Sequence, residues 1–187
     1  MARPKEFDRD VVLERAIGAF ASHGYAGTST EDLLKAMGIS RQSLYDTYGD
    51  KRRLYLEALE RYSRDSTAQI IEMMQTGGLE AALLAFAARP AQREENACLG
   101  VGATCEFGAS DPEVRAATGS ASTALLTAFE TLIARGQAAG EMSADLDHKA
   151  AAQFLSVTLA GLKVAARGGA APEILRNIVR VALRSLA

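Results

Sequence analysis

A cluster of polar side chains between residues 41 and 51 has the chemistry needed to contact DNA. Arginine pairs well with guanine edges and glutamine with adenine edges, while serine can bond to a base or to a phosphate. A tyrosine hydroxyl and a lysine ammonium group commonly bind phosphate and fix the register of a protein on the duplex. The side chains concerned are Arg41, Gln42, Ser43, Tyr45, Tyr48 and Lys51.

Two short helices are expected to position this cluster. The first begins after Thr28 or Ser29, either of which can cap it, and Glu31 stands at the capping-box position relative to Thr28. Gly38 ends that helix, because the left-handed residue at a helix C-terminus is usually glycine. A second helix begins after Ser40. This pattern predicts a helix-turn-helix, whose second helix lies in the DNA major groove. The alternative is an ordinary helical hairpin with a solvated polar face.

The same stretch resembles the DNA-binding domain of the TetR family of bacterial transcriptional repressors over roughly residues 8–62. The family pattern is a glycine–aromatic pair, a threonine-rich cap, a Gly-Val/Ile-Ser turn, a Leu-Tyr pair, a further aromatic and then a lysine. This chain carries these motifs in the same order and spacing, as Gly24-Tyr25, Thr28-Ser29-Thr30, Gly38-Ile39-Ser40, Leu44-Tyr45, Tyr48 and Lys51.

The resemblance implies that the first three side chains of the cluster read bases and that the other three bind phosphates. With the threonine-rich cap, the expected DNA-binding set is Arg41, Gln42, Ser43, Tyr45, Tyr48, Lys51, Thr28 and Thr30. Two positions depart from the family pattern. Gln42 stands where many members have glycine, and Glu31 stands where some have a cation that reaches the DNA. The operator of a relative therefore cannot be transferred to this chain.

Composition indicates an all-α fold of about nine helices. A chain of 187 residues is long enough to bury a substantial core. Alanine and leucine are abundant, and no alternating strand pattern is present. The net charge of −2 is unusual for a DNA-binding protein, but basic residues cluster at the N-terminal tail and around the second helix of the motif. Because no apolar run of membrane-spanning length and no secretory signal is evident, we expect a cytoplasmic protein.

We expect two domains, a helix-turn-helix DNA-binding domain over residues 1–50 and a helical ligand-binding and dimerisation domain over residues 51–187. The second domain begins with a long helix that starts at Lys51 and is closed by Gly77-Gly78. Because this helix starts beside the DNA, it is the natural lever between a ligand site and the reading helix.

The last two helices, predicted at about 148–167 and 172–186, indicate self-association. The final helix has two neighbouring apolar stripes, which is more apolar surface than packing on one side requires. Small residues on the preceding helix permit close approach. The expected interface comprises Phe154, Gly161, Leu175, Ile178, Val179 and Ala182. A homodimer would present two reading helices to a palindromic operator. The alternative is a final helix buried entirely within one subunit.

The resemblance also implies that a small apolar or amphipathic effector binds the C-terminal half and releases the DNA. Methionine side chains adapt to irregular pockets, although plain core packing is the alternative for each of them. Apolar character and helix position select Met73, Met74, Phe86, Cys105, Phe107, Phe129 and Phe154 as candidate ligand-binding residues.

Neither the cysteines nor the histidines indicate a cofactor or a metal. Cys98 and Cys105 would lie about two turns apart on one helix, too far for an unstrained disulfide. Both can be core residues, but Cys98 at a helix N-terminus could instead be a redox sensor. We find no catalytic constellation, and Glu106 has no evident partner for acid–base work, so an enzyme is not expected. A helical small-molecule-binding or redox-sensing protein that has lost DNA binding is the alternative to a DNA-binding regulator.

Overall fold

The computed structural model describes residues 7–87 and 98–187, except for the side chains of Phe86 and Ala87. This part of the chain forms eight α-helices and no strand, which confirms the all-α prediction. In chain order they are α1 Arg9–Gly27, α2 Thr30–Met37, α3 Arg41–Tyr48, α4 Lys51–Ala87, α5 Leu99–Phe107, α6 Pro112–Ala138, α7 His148–Arg167 and α8 Pro172–Arg184.

Helix α4 explains the difference between eight helices and the expected nine. Its backbone leaves helical geometry at Gly78, where φ is 80°. Few residues other than glycine adopt this φ without strain, so the break falls where the sequence places a helix end. The sequence predicts one helix that ends at Gly77-Gly78 and a further helix after it, whereas the structure joins the two segments in α4.

The helix-turn-helix has the predicted ends, with one correction to its first cap. Ser40 caps α3, and Gly38 ends α2 with the left-handed φ of 69°. Helix α2 is capped by Ser29, one of the two predicted caps, and the correction is that the capping-box partner is Asp32 rather than Glu31. The Ser29 hydroxyl accepts the N–H of Asp32, and the Asp32 carboxylate accepts the N–H of Ser29. The Ser29 hydroxyl also donates to the Asp32 carboxylate, and this hydrogen bond, together with that from the Ser29 N–H, lowers the pKa of Asp32.

The described residues fall into two compact units. The first contains residues 7–63 and 98–118, and the second contains residues 64–87 and 119–187. Helices α4 and α6 each contribute to both units. None of the described helices is both long and apolar enough to cross a membrane.

Each unit has its own apolar core. In the first unit, α1, α2, α3 and the start of α4 pack with α5 around large side chains that include Phe20, Leu33, Met37, Leu44 and Tyr55. In the second unit, the distal part of α4 packs with α6, α7 and α8 around side chains that include Ile70, Leu83, Phe129, Leu155 and Val179. The first core fixes α3 in place, and the second core fixes α7 and α8.

Candidate nucleic-acid interface

Helix α3 exposes polar side chains on one face and is anchored in the core by its other face. Leu44 is completely buried in the first core, so the helix cannot rotate without breaking that packing. Arg41 and Gln42 are exposed on the first turn, and the Tyr45 side chain is 45% exposed. The half-buried Ser43 lies beside the cap, where its N–H donates to the Ser40 hydroxyl at 3.1 Å. The N-terminal end of α3 therefore offers fixed hydrogen-bonding groups to a ligand.

Arg41 is not isolated on this surface. Its guanidinium donates to the carboxylate of Glu31 on the first turn of α2, and both side chains are more than half exposed. The ion pair therefore connects the N-terminal ends of α2 and α3. The sequence placed Glu31 near the interface but did not identify Arg41 as its partner.

Two members of the expected DNA-binding set are internal. Thr28 is completely buried, and its hydroxyl donates to the carbonyl oxygen of Gly24 at 2.6 Å. Tyr48 is 5% exposed, and its hydroxyl donates to the carbonyl oxygen of Arg9 at 3.3 Å. Burial raises the pKa of Tyr48. Both residues stabilise the unit from within. The phosphate contact of Tyr48 and the membership of Thr28 in the DNA-binding set stay predictions. Thr30 is half-buried at the start of α2.

Lys51, the first residue of α4, is half-buried above an aromatic ring. Its Nζ lies 4.3 Å from the ring centroid of Tyr25, a separation at which a cation and an aromatic face attract. Tyr25 packs in turn against Tyr55 and Phe107, with ring centroids 4.9 and 5.6 Å away. The position of the Lys51 ammonium group thus depends on this aromatic cluster.

Glu106 of α5 binds the backbone of the segment that carries Tyr25. Helix α1 leaves helical geometry at Gly24, where φ is 75°. The amide groups of Tyr25 and Ala26 donate to the two carboxylate oxygens of Glu106 at 2.8 and 2.9 Å. A Cβ at residue 24 would lie 3.0 Å from the same carboxylate, which makes glycine the residue that fits there. Sequence patterns indicated no partner for Glu106, since its partners are backbone groups about 80 residues away.

A second polar contact joins the start of α4 to the start of α6. The Arg52 guanidinium donates to both carboxylate oxygens of Asp111, at 2.7 and 2.6 Å, and also contacts Glu113. The N–H of Val114 and the Arg52 guanidinium lower the pKa of Asp111. Neither Asp111 nor Glu106 was identified in the sequence as a support for the DNA-binding region.

The second unit exposes apolar side chains on α7 and α8. On α7, Phe154 is 44% exposed, and Gly161 is also exposed. Ile178 of α8 is also exposed, whereas Leu175, Val179 and Ala182 are at most 4% exposed and lie within the unit. The stripe of α8 that faces outward contains Ile174, Ile178 and Val181. Of the residues predicted at the dimer interface, three are therefore exposed and three are buried in the core of the unit.

The candidate ligand-binding residues lie in different surroundings. Met74 and Phe129 are buried in the second core, and Met73 packs against it. Phe107 packs against the core of the first unit, and Cys105 is exposed on α5. Phe154 lies on the exposed face of α7, and the Phe86 side chain lies outside the described part. Of the candidates whose side chains the structure describes, Met73, Met74 and Phe129 belong to one apolar cluster, and a shared ligand site there stays a prediction.

Cys98 caps α5, with its Sγ accepting the N–H of Val101 at 3.4 Å. The side chain is half-buried, and neither Cys98 nor Cys105 forms a disulfide. A helix N-terminus favours a thiolate, but reactivity at this position stays a prediction. Over the residues that the structure describes, no three metal-ligating side chains come together.

Comparison with known proteins identifies the family. The profile of bacterial regulatory proteins of the tetR family matches residues 12–58, and that of the tetracyclin repressor-like C-terminal domain matches residues 78–182. The HTH-type transcriptional regulator YezE of Bacillus subtilis (strain 168) is 37% identical over 194 residues, covering 100% of both chains. The HTH-type transcriptional repressor ComR of Escherichia coli (strain K12) is 28% identical, over 97% of this chain and 90% of its own.

Among solved structures, a cysteine mutant of the TetR family transcriptional regulator CifR, complexed with 26bp double-strand operator DNA, is similar with a TM-score of 0.73. It is 34% identical, and the match covers 98% of this chain and 99% of that one. These similarities confirm the resemblance seen in the helix-turn-helix and extend it over the whole chain. The protein belongs to the TetR family of bacterial transcriptional regulators, and it is a DNA-binding regulator rather than an enzyme.

Proposed function

We propose that the protein is a homodimeric repressor that binds a palindromic operator and is released from it by a small apolar or amphipathic effector. The observation that carries DNA recognition is the polar N-terminal end of α3, held in place by the fully buried Leu44. Such a helix end is the part of a helix-turn-helix that meets base edges. Repression is inferred from relatives such as ComR. We place the protein in the cytoplasm, where it has access to the bacterial chromosome.

Base reading is assigned to Arg41, Gln42 and Ser43, and phosphate binding to Tyr45 and Lys51. The first group stands on the first turn of α3, and Tyr45 is exposed one turn later. Lys51 needs only to leave the face of Tyr25 to reach a phosphate, because a cation–π contact is weak compared with an ion pair to DNA. Thr30 completes the proposed surface from the first turn of α2, and Thr28 and Tyr48 support it from within.

Dimerisation is assigned to the exposed apolar face of α7 and α8, which contains Phe154, Val157, Gly161, Val164, Ile174, Ile178 and Val181. Two packed helices that both expose large apolar side chains are typical of a surface that meets a partner protein. A two-fold axis would bring the same face of two subunits together and present two copies of α3 to two half-sites. The predicted Leu175, Val179 and Ala182 would support this interface from the core of each subunit.

The effector is assigned to the second unit, where Met73, Met74 and Phe129 belong to one apolar cluster. Methionine side chains repack readily around a guest molecule. Release requires the effector to bind the DNA-free conformation more tightly than the DNA-bound one, because only differential affinity shifts the equilibrium. Binding of a fluorescent apolar probe to wild-type protein and to Met74→Ala measures this part of the proposal independently of DNA.

The decisive experiment is selection of bound duplexes from a random DNA pool, followed by a salt titration of binding to the selected sequence. We expect a palindromic consensus, bound by a dimer in solution, with affinity that falls by about 0.9 log unit per log unit of salt for each phosphate contact. A selected sequence without two-fold symmetry would contradict the dimer, and binding that is insensitive to salt would contradict the phosphate contacts.

A further inference from the structure

The Arg41–Glu31 pair lies on the surface that is assigned to base reading. Both side chains project from the first turns of their helices, and both are exposed, at 53% for Arg41 and 71% for Glu31. An ion pair with so much exposure adds little to the stability of the fold. The N-terminal end of α3, where Arg41 stands, is nevertheless the position from which base edges are contacted, and the ion pair holds Glu31 beside it.

The geometry of the pair restricts where the carboxylate can lie on DNA. Glu31 is within hydrogen-bonding distance of the Arg41 guanidinium, and this distance is shorter than the spacing of about 3.4 Å between successive base pairs. A base edge read by Arg41 is therefore within about two steps of the Glu31 oxygens, close enough for Glu31 to contact a neighbouring base pair.

The chemistry of a carboxylate determines which base it tolerates. An ionised carboxylate accepts hydrogen bonds and donates none. In the major groove it is repelled by the acceptor atoms of guanine and by the oxygen of thymine. It is attracted to the amino groups of cytosine and adenine, but adenine places an acceptor, N7, beside its amino group, whereas cytosine does not. We propose that Glu31 is a specificity-determining residue that selects cytosine beside the guanine contacted by Arg41. This inference rests on the proposed base-reading role of Arg41.

The pairing also explains how the surface tolerates an acid. An isolated carboxylate near phosphates would weaken binding to every duplex, because like charges repel. Paired with Arg41, Glu31 forms a unit without net charge that offers donors on one side and acceptors on the other. The Arg41–Glu31 pair therefore discriminates between DNA sequences in two ways: it repels base edges that do not match its donors and acceptors, and it bonds to those that do.

The test compares duplex selections with wild-type protein, Glu31→Gln and Glu60→Gln. Glu60 is an exposed glutamate on α4, so its substitution controls for the loss of one negative charge. We expect wild type and Glu60→Gln to select the same half-site, with cytosine preferred about tenfold at one position beside a guanine. Glu31→Gln should lose this preference and favour adenine there, because an amide both donates to and accepts from adenine.

An unchanged consensus in Glu31→Gln, bound more tightly whatever the sequence, would overturn the proposal and leave Glu31 as a source of repulsion only. Absence of any consensus with wild-type protein would overturn both this proposal and specific DNA recognition. Failure of the Glu31 proposal alone is therefore distinguishable from failure of the proposed function. Arg41→Ala, selected in parallel, should lose the guanine and the neighbouring cytosine preference together. Thermal unfolding of each variant checks that the exposed substitutions leave the fold intact.

Discussion

On the first unit, the candidate functional surface consists of polar side chains whose positions are fixed by individual contacts, whereas on the second unit it consists of exposed apolar side chains on two helices. Arg41 is paired with Glu31, and Lys51 lies on Tyr25. Val157 and Val181, by contrast, are 72% and 68% exposed. DNA recognition needs a few polar groups held in defined positions, while an apolar interface needs a large area of contact between the two surfaces. The two surfaces should therefore respond to different kinds of substitution.

The largest effect is expected from placing a charge on the apolar face. Val157→Asp changes a side chain that is exposed in one subunit, so the subunit should still fold. In a dimer the same carboxylate would be buried without a partner, which is strongly unfavourable. We expect light scattering to show a monomer, and operator affinity to fall by about 100-fold or more because the two half-sites are no longer bound together.

A control for Val157→Asp is available within the same unit. Ser122 is exposed on α6, and Ser122→Asp adds the same charge away from the apolar face. This variant should remain dimeric and bind the operator normally. A Val157→Asp protein that is still dimeric would show that α7 does not form the interface.

The next largest effect is expected from removing the proposed phosphate-binding side chains. Tyr45→Ala combined with Lys51→Ala should weaken operator binding about 10- to 100-fold without altering the selected sequence. The slope of log affinity against log salt should become shallower by about one, because one lysine no longer neutralises a phosphate. Lys149→Ala, which removes an exposed lysine of the second unit, is the matched control. An unchanged slope in the double variant would exclude Lys51 from phosphate binding.

A smaller effect is expected from substituting Glu106, which binds the backbone of Tyr25, the residue whose ring Lys51 contacts. Glu106→Gln replaces a carboxylate that accepts two backbone N–H groups with an amide that has only one acceptor oxygen. We expect the free energy of unfolding to decrease by about 1 kcal/mol, measured by urea titration, and operator affinity to fall modestly because Tyr25 is less well held. Glu141→Gln, at an exposed position of the second unit, should change neither quantity. Equal stability of the two variants would contradict the role of Glu106.

Local signals in the sequence predicted much of the first unit and less of the second. Gly38 and Ser40 act within a few residues of their own positions, so spacing alone identified the helix ends. Glu106 and Asp111 act on residues that are 81 and 59 positions away, and no local pattern encodes such a partner.

The two stripes of α8 show a second limit of sequence patterns. Periodicity identified both stripes as apolar, but it contains no information on which stripe packs inside the subunit. The structure buries Leu175 and Val179 and exposes Ile174 and Val181. The choice depends on the shape of the core formed with α7, which only the folded chain defines.

A stability effect of the same size, and the most specific test of the first core, concerns a buried hydroxyl group. Tyr55 is completely buried, and its hydroxyl has no hydrogen-bond partner in the described part of the chain. Burial also raises the pKa of this phenol. An unsatisfied buried polar group costs about 1–3 kcal/mol. Tyr55→Phe keeps the ring contacts with Phe20 and removes that cost, so the free energy of unfolding should rise by about 1 kcal/mol.

Tyr48→Phe provides the opposite case within the same core. The Tyr48 hydroxyl donates to the Arg9 carbonyl, so its removal should lower the free energy of unfolding by about 1 kcal/mol. Urea titrations of the two variants should thus move in opposite directions from wild type. Destabilisation by Tyr55→Phe would mean that its hydroxyl is satisfied in solution, for example by a buried water molecule, which typically bonds to such groups. The packing of Phe20, Tyr25 and Phe107 around Tyr55 would then enclose a polar site rather than a dry aromatic core.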